Sequence, residues 1–386
     1  MKAKSIKGKS PEEIQAALNE SMKDGFKPTL AIVFISIKQD RKAVCEILHK
    51  EGIDIFGATS SGEFIDGHQS EGATVILLLD LSRESYTILF EDIGDRKLSD
   101  AAANLAQTAL QKFKKPAFIL CSTSISTQGE FSIDGEALVR SIENVFGPQV
   151  NIFGGMAGDD WNLKGTYVFT YQKSTDHGIV ALILDEEKVS LHGMAISGWK
   201  PIGISRTVTK SDGRWLYNID NQPALDMYLK YLGSESKPGE DKYKMFEEVG
   251  VLYPFQVERE VGEPAMVAPM EISREKNALL CESKIPQGAK LYFSMPPDFD
   301  IVEKVLEKAN ELKTNNNADA EALLIFSCAG RKSTLGPLTD EENQGLSKLW
   351  NTAMAGFYTY GEYGRAVNGR QEFHSTTCCW VALKEK

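Results

Sequence analysis

The chain lacks any paired-cysteine or paired-histidine motif. Its six cysteines, Cys45, Cys121, Cys281, Cys328, Cys378 and Cys379, contain no CxxC, and its five histidines, His49, His68, His177, His192 and His374, show no HxxxH or HxH spacing. These absences argue against the common zinc frameworks. Cysteines scattered through apolar runs are expected to be reduced, buried thiols of a cytosolic protein. Long hydrophobic runs are missing too. The longest, "ATVILLLDL" and "GIVALIL", fall well short of the roughly 20 residues that span a bilayer and read as buried strands. The basic opening "MKAKSIKGKSPEE" is not followed by an apolar core, so no secretory leader is expected. No dense cluster of Lys and Arg occurs, and a net charge of -11 repels nucleic acid and anionic membranes alike.

What remains is a globular composition, with 386 residues, 42% hydrophobic and 25% charged. That length suits about two or three domains. The chain also repeats itself. Three apolar runs, "LAIVFIS", "AFILCST" and "ALLIFSCAGR", close on Ser36, Ser122 and Ser327, as strands buried on both faces do. Downstream stand "IFGATSSGEF", "IFGGMAGDDW" and "AGFYTYGEYG". Gly57 leads to Gly62-Glu63, Gly356 leads to Gly361-Glu362, and the middle copy, Gly154 to Gly158-Asp159, is one residue shorter. A further strand follows each, "ATVILLLD", "GIVALILD" and "TTCCWVALK", and the first two run on into "ESYTILFEDIG" and "KVSLHGMAISG" as partner strands. The expected fold class is therefore α/β (or α+β), with mixed sheets covered by helices and a repeated unit of strand, helix, Gly turn and strand.

Helical spacing supports the connections. "PEEIQAALNESMKDG" is capped by Ser10-Pro11, "LSDAAANLAQTALQKF" is opened by Ser99-Asp100, and "DGEALVRSIENVFG" ends on Gly147. In "TDEENQGLSKLWNTAM" Thr339 and Glu342 have capping-box spacing. Residues 205 to 320 break the rhythm with the strand-like "RWLYNI" and a helix capped by Asp220 or Asn221. The polar loop "GSESKPGEDKYK" and the amphipathic "DFDIVEKVLEKANEL" follow. The expected divisions are an N-terminal helical segment, 1–27, a domain holding the first two copies, 28–215, and a domain of the insertion plus the third copy, 216–386.

The chemistry-bearing candidates gather in the third copy. "GATSSGEF" spaces its glycines like a phosphate loop, but Glu63 stands where that loop needs Lys, and neither GxGxxG nor GxSxG fits. The turn glycines either permit positive φ and close backbone approach or expose N–H groups beside a pocket. On the second reading Glu362 receives an ammonium group while Arg331 clamps a carboxylate. Arg331 closes an Ala-Gly turn, and a structural ion pair and a ligand clamp are both open to it. Ser327 and Cys328 follow a buried strand, where nucleophiles are often presented, and His374 is the histidine of that half. A packed thiol and a strand-edge histidine are the plainer readings. Tyr358, Tyr360, Phe357 and Tyr363 line either a pocket or the core. Asp159 and Asp160, if extended, face opposite ways and do not converge on one atom.

These stretches, together with "YNIDNQPALDMYLKYL" and "GFYTYGEYG…EFHSTT", resemble the FIST family, whose name refers to F-box and intracellular signal transduction proteins. The resemblance runs from about residue 28 to the C-terminus and covers both halves, an N-type and a C-type domain. It implies a prokaryotic, cytoplasmic sensor that binds a small ligand, an amino acid being the favoured proposal. It also implies a separate signalling partner such as a histidine kinase, a cyclase or a chemotaxis component, since no stretch here reads as one of those. Some members bind haem and sense nitric oxide, which would make His374 an axial ligand. The absence of CxxCH argues against covalent attachment. The expectation is ligand sensing without turnover and no resident cofactor. Ser327, Cys328, Arg331, Tyr358, Tyr360, Glu362 and His374 are expected around a cleft between the halves. A Cys328/His374 enzyme is the alternative from another class.

Overall fold

The structure is a computed structural model that describes residues 1–129, 131–233, 249–367 and 369–386. The polar loop expected at 233–244 lies outside them, apart from Gly233. The chain opens with a strand, β1 (Lys2–Gly8), followed by α1 (Pro11–Met22). Ser10 accepts from the Glu13 N–H at 3.3 Å, and Pro11 occupies the first turn, as the sequence anticipates. Next come β2 (Leu30–Ser36), α2 (Arg41–Lys50), β3 (Asp54–Ser60), the hairpin β4 (Glu63–Ile65) and β5 (His68–Ser70), and β6 (Thr74–Asp80). The order then recurs as β7 (Tyr86–Asp92), α3 (Leu98–Lys112), β8 (Pro116–Ser122), α4 (Gly135–Phe146) and β9 (Ile152–Met156). The hairpin β10 (Val168–Phe169) and β11 (Ser174–Thr175) and the closing strand β12 (Gly178–Asp185) complete this copy. A third round starts with β13 (Val189–Ile196).

Here a second compact unit intervenes, Ser197–Ile301 with His374–Thr376. Its strands are β14 (Lys200–Asp212), β15 (Trp215–Ile219), β16 (Gln222–Pro223), β17 (Phe255–Val257), β18 (Ala265–Val267), β19 (Pro269–Ser273), β20 (Ala278–Cys281) and β21 (Lys290–Met295). They form one antiparallel sheet. Helix α5 (Ala224–Tyr231) lays Leu225, Tyr228 and Leu229 into the same core as Phe255, Leu291 and Phe293. Asp220 does not cap α5. Its carboxylate accepts from the Thr207 N–H at 2.8 Å and from Arg206 at 3.0 Å, and α5 starts after Pro223 without a side-chain cap.

The third round resumes with α6 (Ile301–Asn315), β22 (Ala322–Cys328), α7 (Ala329–Leu335), α8 (Leu338–Trp350) and β23 (Met354–Thr359). The hairpin β24 (Glu362–Arg365) and β25 (Gln371–His374) and then β26 (Cys378–Glu385) end it. Helix α7 was not anticipated, because "AGRKSTL" reads as a turn. The Thr339–Glu342 capping box does not form either. Thr339 Oγ1 donates to the Gly336 carbonyl at 2.7 Å, α8 has no side-chain cap, and Glu342 is engaged elsewhere.

The three rounds build three six-stranded sheets, ordered β1-β6-β2-β3-β10-β11, β7-β12-β8-β9-β24-β25 and β13-β26-β22-β23-β4-β5. In each, two strands run parallel across a helical crossover and a closing strand pairs antiparallel beside them. The far edge is always a hairpin taken from another copy. Copy one lends β4-β5 to the third sheet, copy two lends β10-β11 to the first, and copy three lends β24-β25 to the second. The exchange is cyclic. It places Phe169 opposite Gly57, Tyr363 opposite Gly154, and Phe64 opposite Gly356.

This topology corrects three expectations. Residues 1–27 are not a separate helical segment, since β1 pairs along β6 from Lys2↔Asp80 to Gly8↔Thr74. Strands β7 and β13 are not partners of the strands that precede them; they pair with β12 and β26 and so open the next copy. The third copy also does not pack as a domain with the insertion. The first compact unit gathers Met1–Ile196, Val302–Phe373 and Thr377–Lys386, because the lent hairpins tie all three copies together. Its central core draws on every copy, with Phe34, Phe326 and Phe357 in mutual ring contact at 4.4 to 5.9 Å. Apolar layers under the helices complete it, with Ile14, Val33, Ile35 and Leu48 in one and Leu105, Leu120 and Ile142 in another. Among the described residues no helix is long and apolar enough to cross a membrane.

Candidate functional site

The acid of each Gly turn is spent on backbone N–H groups and side-chain hydroxyls of the protein itself. Glu63 accepts from the Ser60 hydroxyl and from the Ala73 N–H at 3.0 Å. Glu362 accepts from Thr359 Oγ1 at 2.5 Å, from the Thr377 N–H at 3.2 Å and from Thr377 Oγ1 at 2.7 Å. Each thereby ties the end of a parallel strand to the start of the closing strand. Asp159 accepts from the N–H groups of Leu163, Lys164 and Gly165 at 3.1, 2.7 and 3.2 Å and from the Tyr360 hydroxyl at 2.7 Å. All three carboxyl groups are fully buried. The turns also bond to one another: Tyr358 N–H to the Gly62 carbonyl at 2.9 Å, Gly158 N–H to Thr59 at 2.9 Å, and Met156 N–H to Gly361 at 2.7 Å. Tyr360 and Glu362 are therefore parts of the joint among the copies.

Arg331 and Glu362 do not form the expected pair of clamps. Arg331, fully buried on α7, is held in a two-point ion pair by Glu342 of α8, Nε at 3.2 Å and Nη2 at 2.7 Å. Burial works against this guanidinium's charge, but Glu342 outweighs it, and the pKa stays raised. The structural ion pair is thus the reading the geometry favours. Ser327, Tyr358 and Arg331 do come together, on the face of the third sheet that α7 and α8 cover. Cys328 ends β22 as a buried thiol and occupies the N-cap position of α7, without a side-chain cap. His374 is buried and belongs with the second compact unit. Buried Ser375, Thr376 and Thr377 follow it.

An accessible cavity lies elsewhere in the first unit. It has a volume of about 830 Å³ and opens where the parallel strands β2 and β3 end, with Ser36 and Thr59 at its floor. One wall is the first turn of α2, with Arg41 and Lys42; the other is the lent segment of copy two, with Tyr167, Phe169 and Lys173. Carboxyl ends of parallel strands are where open α/β sheets receive ligands, because the crossovers leave a crevice there. The Arg41 guanidinium is half-buried and stacks over Tyr167 at 4.3 Å and Phe169 at 5.4 Å from the ring centroids. It makes no ion pair among the described residues, and burial pulls its pKa below the usual value. A half-desolvated guanidinium without a counter-ion is a receptor for a carboxylate or similar anion. Asp40 and Glu46 line the same cavity, which suits a ligand carrying a cation as well. The turn at 159–165 borders it: Asp160 accepts from Ser36 Oγ at 2.6 Å, and Asp160, Trp161 and Leu163 adopt left-handed φ of 52°, 63° and 53°.

Family comparison supports the resemblance. The model of the FIST N domain matches residues 29–222, and that of the FIST C domain matches residues 224–365. The chain belongs to the FIST family. No curated protein matches it. FIST domains are associated with sensing in signal transduction. In this FIST protein the N-type match supplies both walls of the cavity, whereas the sequence placed the ligand between the two halves. Sequence reasoning missed Arg41 because "DRKAVCEILHK" reads as the start of an ordinary surface helix. The available signal was position, since Arg41 follows the first repeated strand and opens its crossover helix.

Proposed function

We propose that this FIST protein is a sensor that binds, without converting, a small polar molecule of the amino-acid class. The observation that carries the reading is the half-buried Arg41 guanidinium, without an ion-pair partner among the described residues, in the cavity at the ends of β2 and β3. The ligand's carboxylate sits on Arg41 and its ammonium group faces Asp40 and Glu46. Occupancy is passed to a separate protein such as a histidine kinase, a cyclase or a chemotaxis component. Binding pulls the lent hairpin of copy two against α2 and so biases the population of open and closed forms. The six buried cysteines, none in a disulfide, suit the reducing cytoplasm.

A thermal-shift screen of amino acids and organic acids tests this. A ligand at a hundred times its Kd adds about 2.7 kcal/mol of stability. At least one carboxylate compound is expected to raise the melting temperature of the wild-type protein, and Arg41→Ala is expected to abolish the rise. A rise that survives Arg41→Ala removes the site from the reading.

A further inference from the structure

A second crevice of the first unit, about 580 Å³ in volume, lies along β7. Five consecutive residues of that strand, Tyr86 to Phe90, line it. Successive side chains on a strand point to opposite faces, so it is the backbone edge that presents all five to one space. The faces themselves are committed. Tyr86, Ile88 and Phe90 pack on the central core, and Leu89 packs on the layer that α3 covers. Strand β7 is the outermost of its sheet and pairs with β12 alone, without a register shift. Its outer row of backbone N–H and C=O groups therefore meets no strand among the described residues.

The matching strand of copy one, β1, is guarded. It carries Lys2, Lys4 and Lys7, and Ser5 donates to Asp66 at the turn of the β4–β5 hairpin. On β7 the stretch from Tyr86 to Phe90 holds no lysine, proline or bulge. Side-chain bonds pin its ends: the Tyr86 hydroxyl donates to Asp54 at 2.8 Å, and Asp92 accepts from Thr175 Oγ1 at 3.1 Å. Edge strands are normally blunted by such devices, and one left plain is a template for another chain. The opposite wall is the tip of the lent hairpin, Thr170 to Lys173, with the His49 ring stacked on Tyr171 at 3.6 Å. Asp54, the carboxylate of the lining, is taken by Arg83 and Tyr86. Lys173 lies over the Phe90 ring at 5.7 Å and makes no ion pair among the described residues. In a chain of net charge -11 this is a cationic spot, complementary to an acidic side chain.

We propose that the β7 edge is the docking site of an extended, acidic segment of a separate protein, which adds to the second sheet as a further strand. Backbone hydrogen bonds hold it, and an Asp or Glu of the segment faces Lys173. The docking stands on this geometry alone. Its use as the sensor's output rests on the function proposed above, because Thr170 to Lys173 also wall the Arg41 cavity and so touch both sites.

A random decapeptide library displayed on phage and selected on the full chain, with no small ligand present, tests the docking. Enriched peptides are expected to alternate apolar with polar residues, to carry Asp or Glu, and to slow amide hydrogen exchange between Thr87 and Glu91. Lys173→Glu is expected to weaken their binding about tenfold. Enriched peptides that protect some other surface, or no enrichment over an unrelated protein, overturn the proposal. So does an affinity unchanged in Lys173→Glu, which removes the acidic partner. Protection of β7 that grows with protein concentration in the absence of peptide assigns the edge to a second copy of the chain, and overturns it too. Because no ligand enters the selection, these results stand whether or not Arg41 receives a carboxylate.

Discussion

At the scale of single residues, the glycines before each turn were legible as a recurring pattern, but their cause was not. A Cβ on Gly57 would lie 2.3 Å from Phe169 Cε2, and one on Gly356 would lie 2.1 Å from Phe64 Cε2. The crowding ring comes from a hairpin of another copy, 112 residues downstream in the first case, and no local pattern announces it. Gly57→Ala and Gly356→Ala are expected to destabilise the protein by about 1–3 kcal/mol or more, as overpacking of a core does. Chemical denaturation checks this, and a loss below about 0.5 kcal/mol would contradict the packing described. Arg331 illustrates the opposite limit. Its chemistry was visible, but its partner Glu342 was assigned to a helix cap, because capping-box spacing and an ion pair to another helix look alike in one dimension.

At the scale of elements, most helices and strands are readable from periodicity and caps, and the failures have two causes. Strand β1 reads as part of a basic, helical-looking opening, because three of the seven residues of "KAKSIKG" are lysines and only Ile6 and Gly8 are buried. Strands β7 and β13 were found but given to the wrong neighbours, since adjacency in sequence is the default expectation. If β1 and α1 are integral, removing residues 1–27 strips β6 of one of its two antiparallel partners and, by taking away Ile14, Leu18 and Phe26, uncovers Val33, Ile35, Ile76 and Leu78 of the same apolar layer. The truncated chain is expected to lose cooperative unfolding and to aggregate through the bared edge. A soluble truncation with a melting temperature near that of the full chain would contradict the role given to these elements.

At the scale of the whole molecule, the triplication could be read from the sequence, but the cyclic exchange of hairpins could not. That exchange turns the three acid turns into buried joints, and it has a pH signature. Burial pushes the Glu63 carboxyl up to about 7 against the hydrogen bonds from Ser60 and Ala73, which pull it down. A folded-state pKa above the unfolded one adds stability that is complete below the unfolded value and lost as pH rises through 7. The span is on the order of 3 kcal/mol. Glu63→Gln, which mimics the protonated form, is expected to flatten stability between about pH 5 and pH 8 in denaturant titrations. An unchanged slope would contradict that assignment. Glu282, pushed to about 7 by burial in the second unit, leaves a residual slope of the same sign.

The proposed ligand site is the part least written in the sequence, because Arg41 gains its setting only from the Tyr167 and Phe169 rings that another copy lends. The most direct test is a crystal structure of the protein with whichever small carboxylate gives the largest thermal shift. The account predicts a carboxylate within about 3 Å of the Arg41 guanidinium, between α2 and the lent hairpin. A ligand seated elsewhere, with Arg41 untouched, would contradict it.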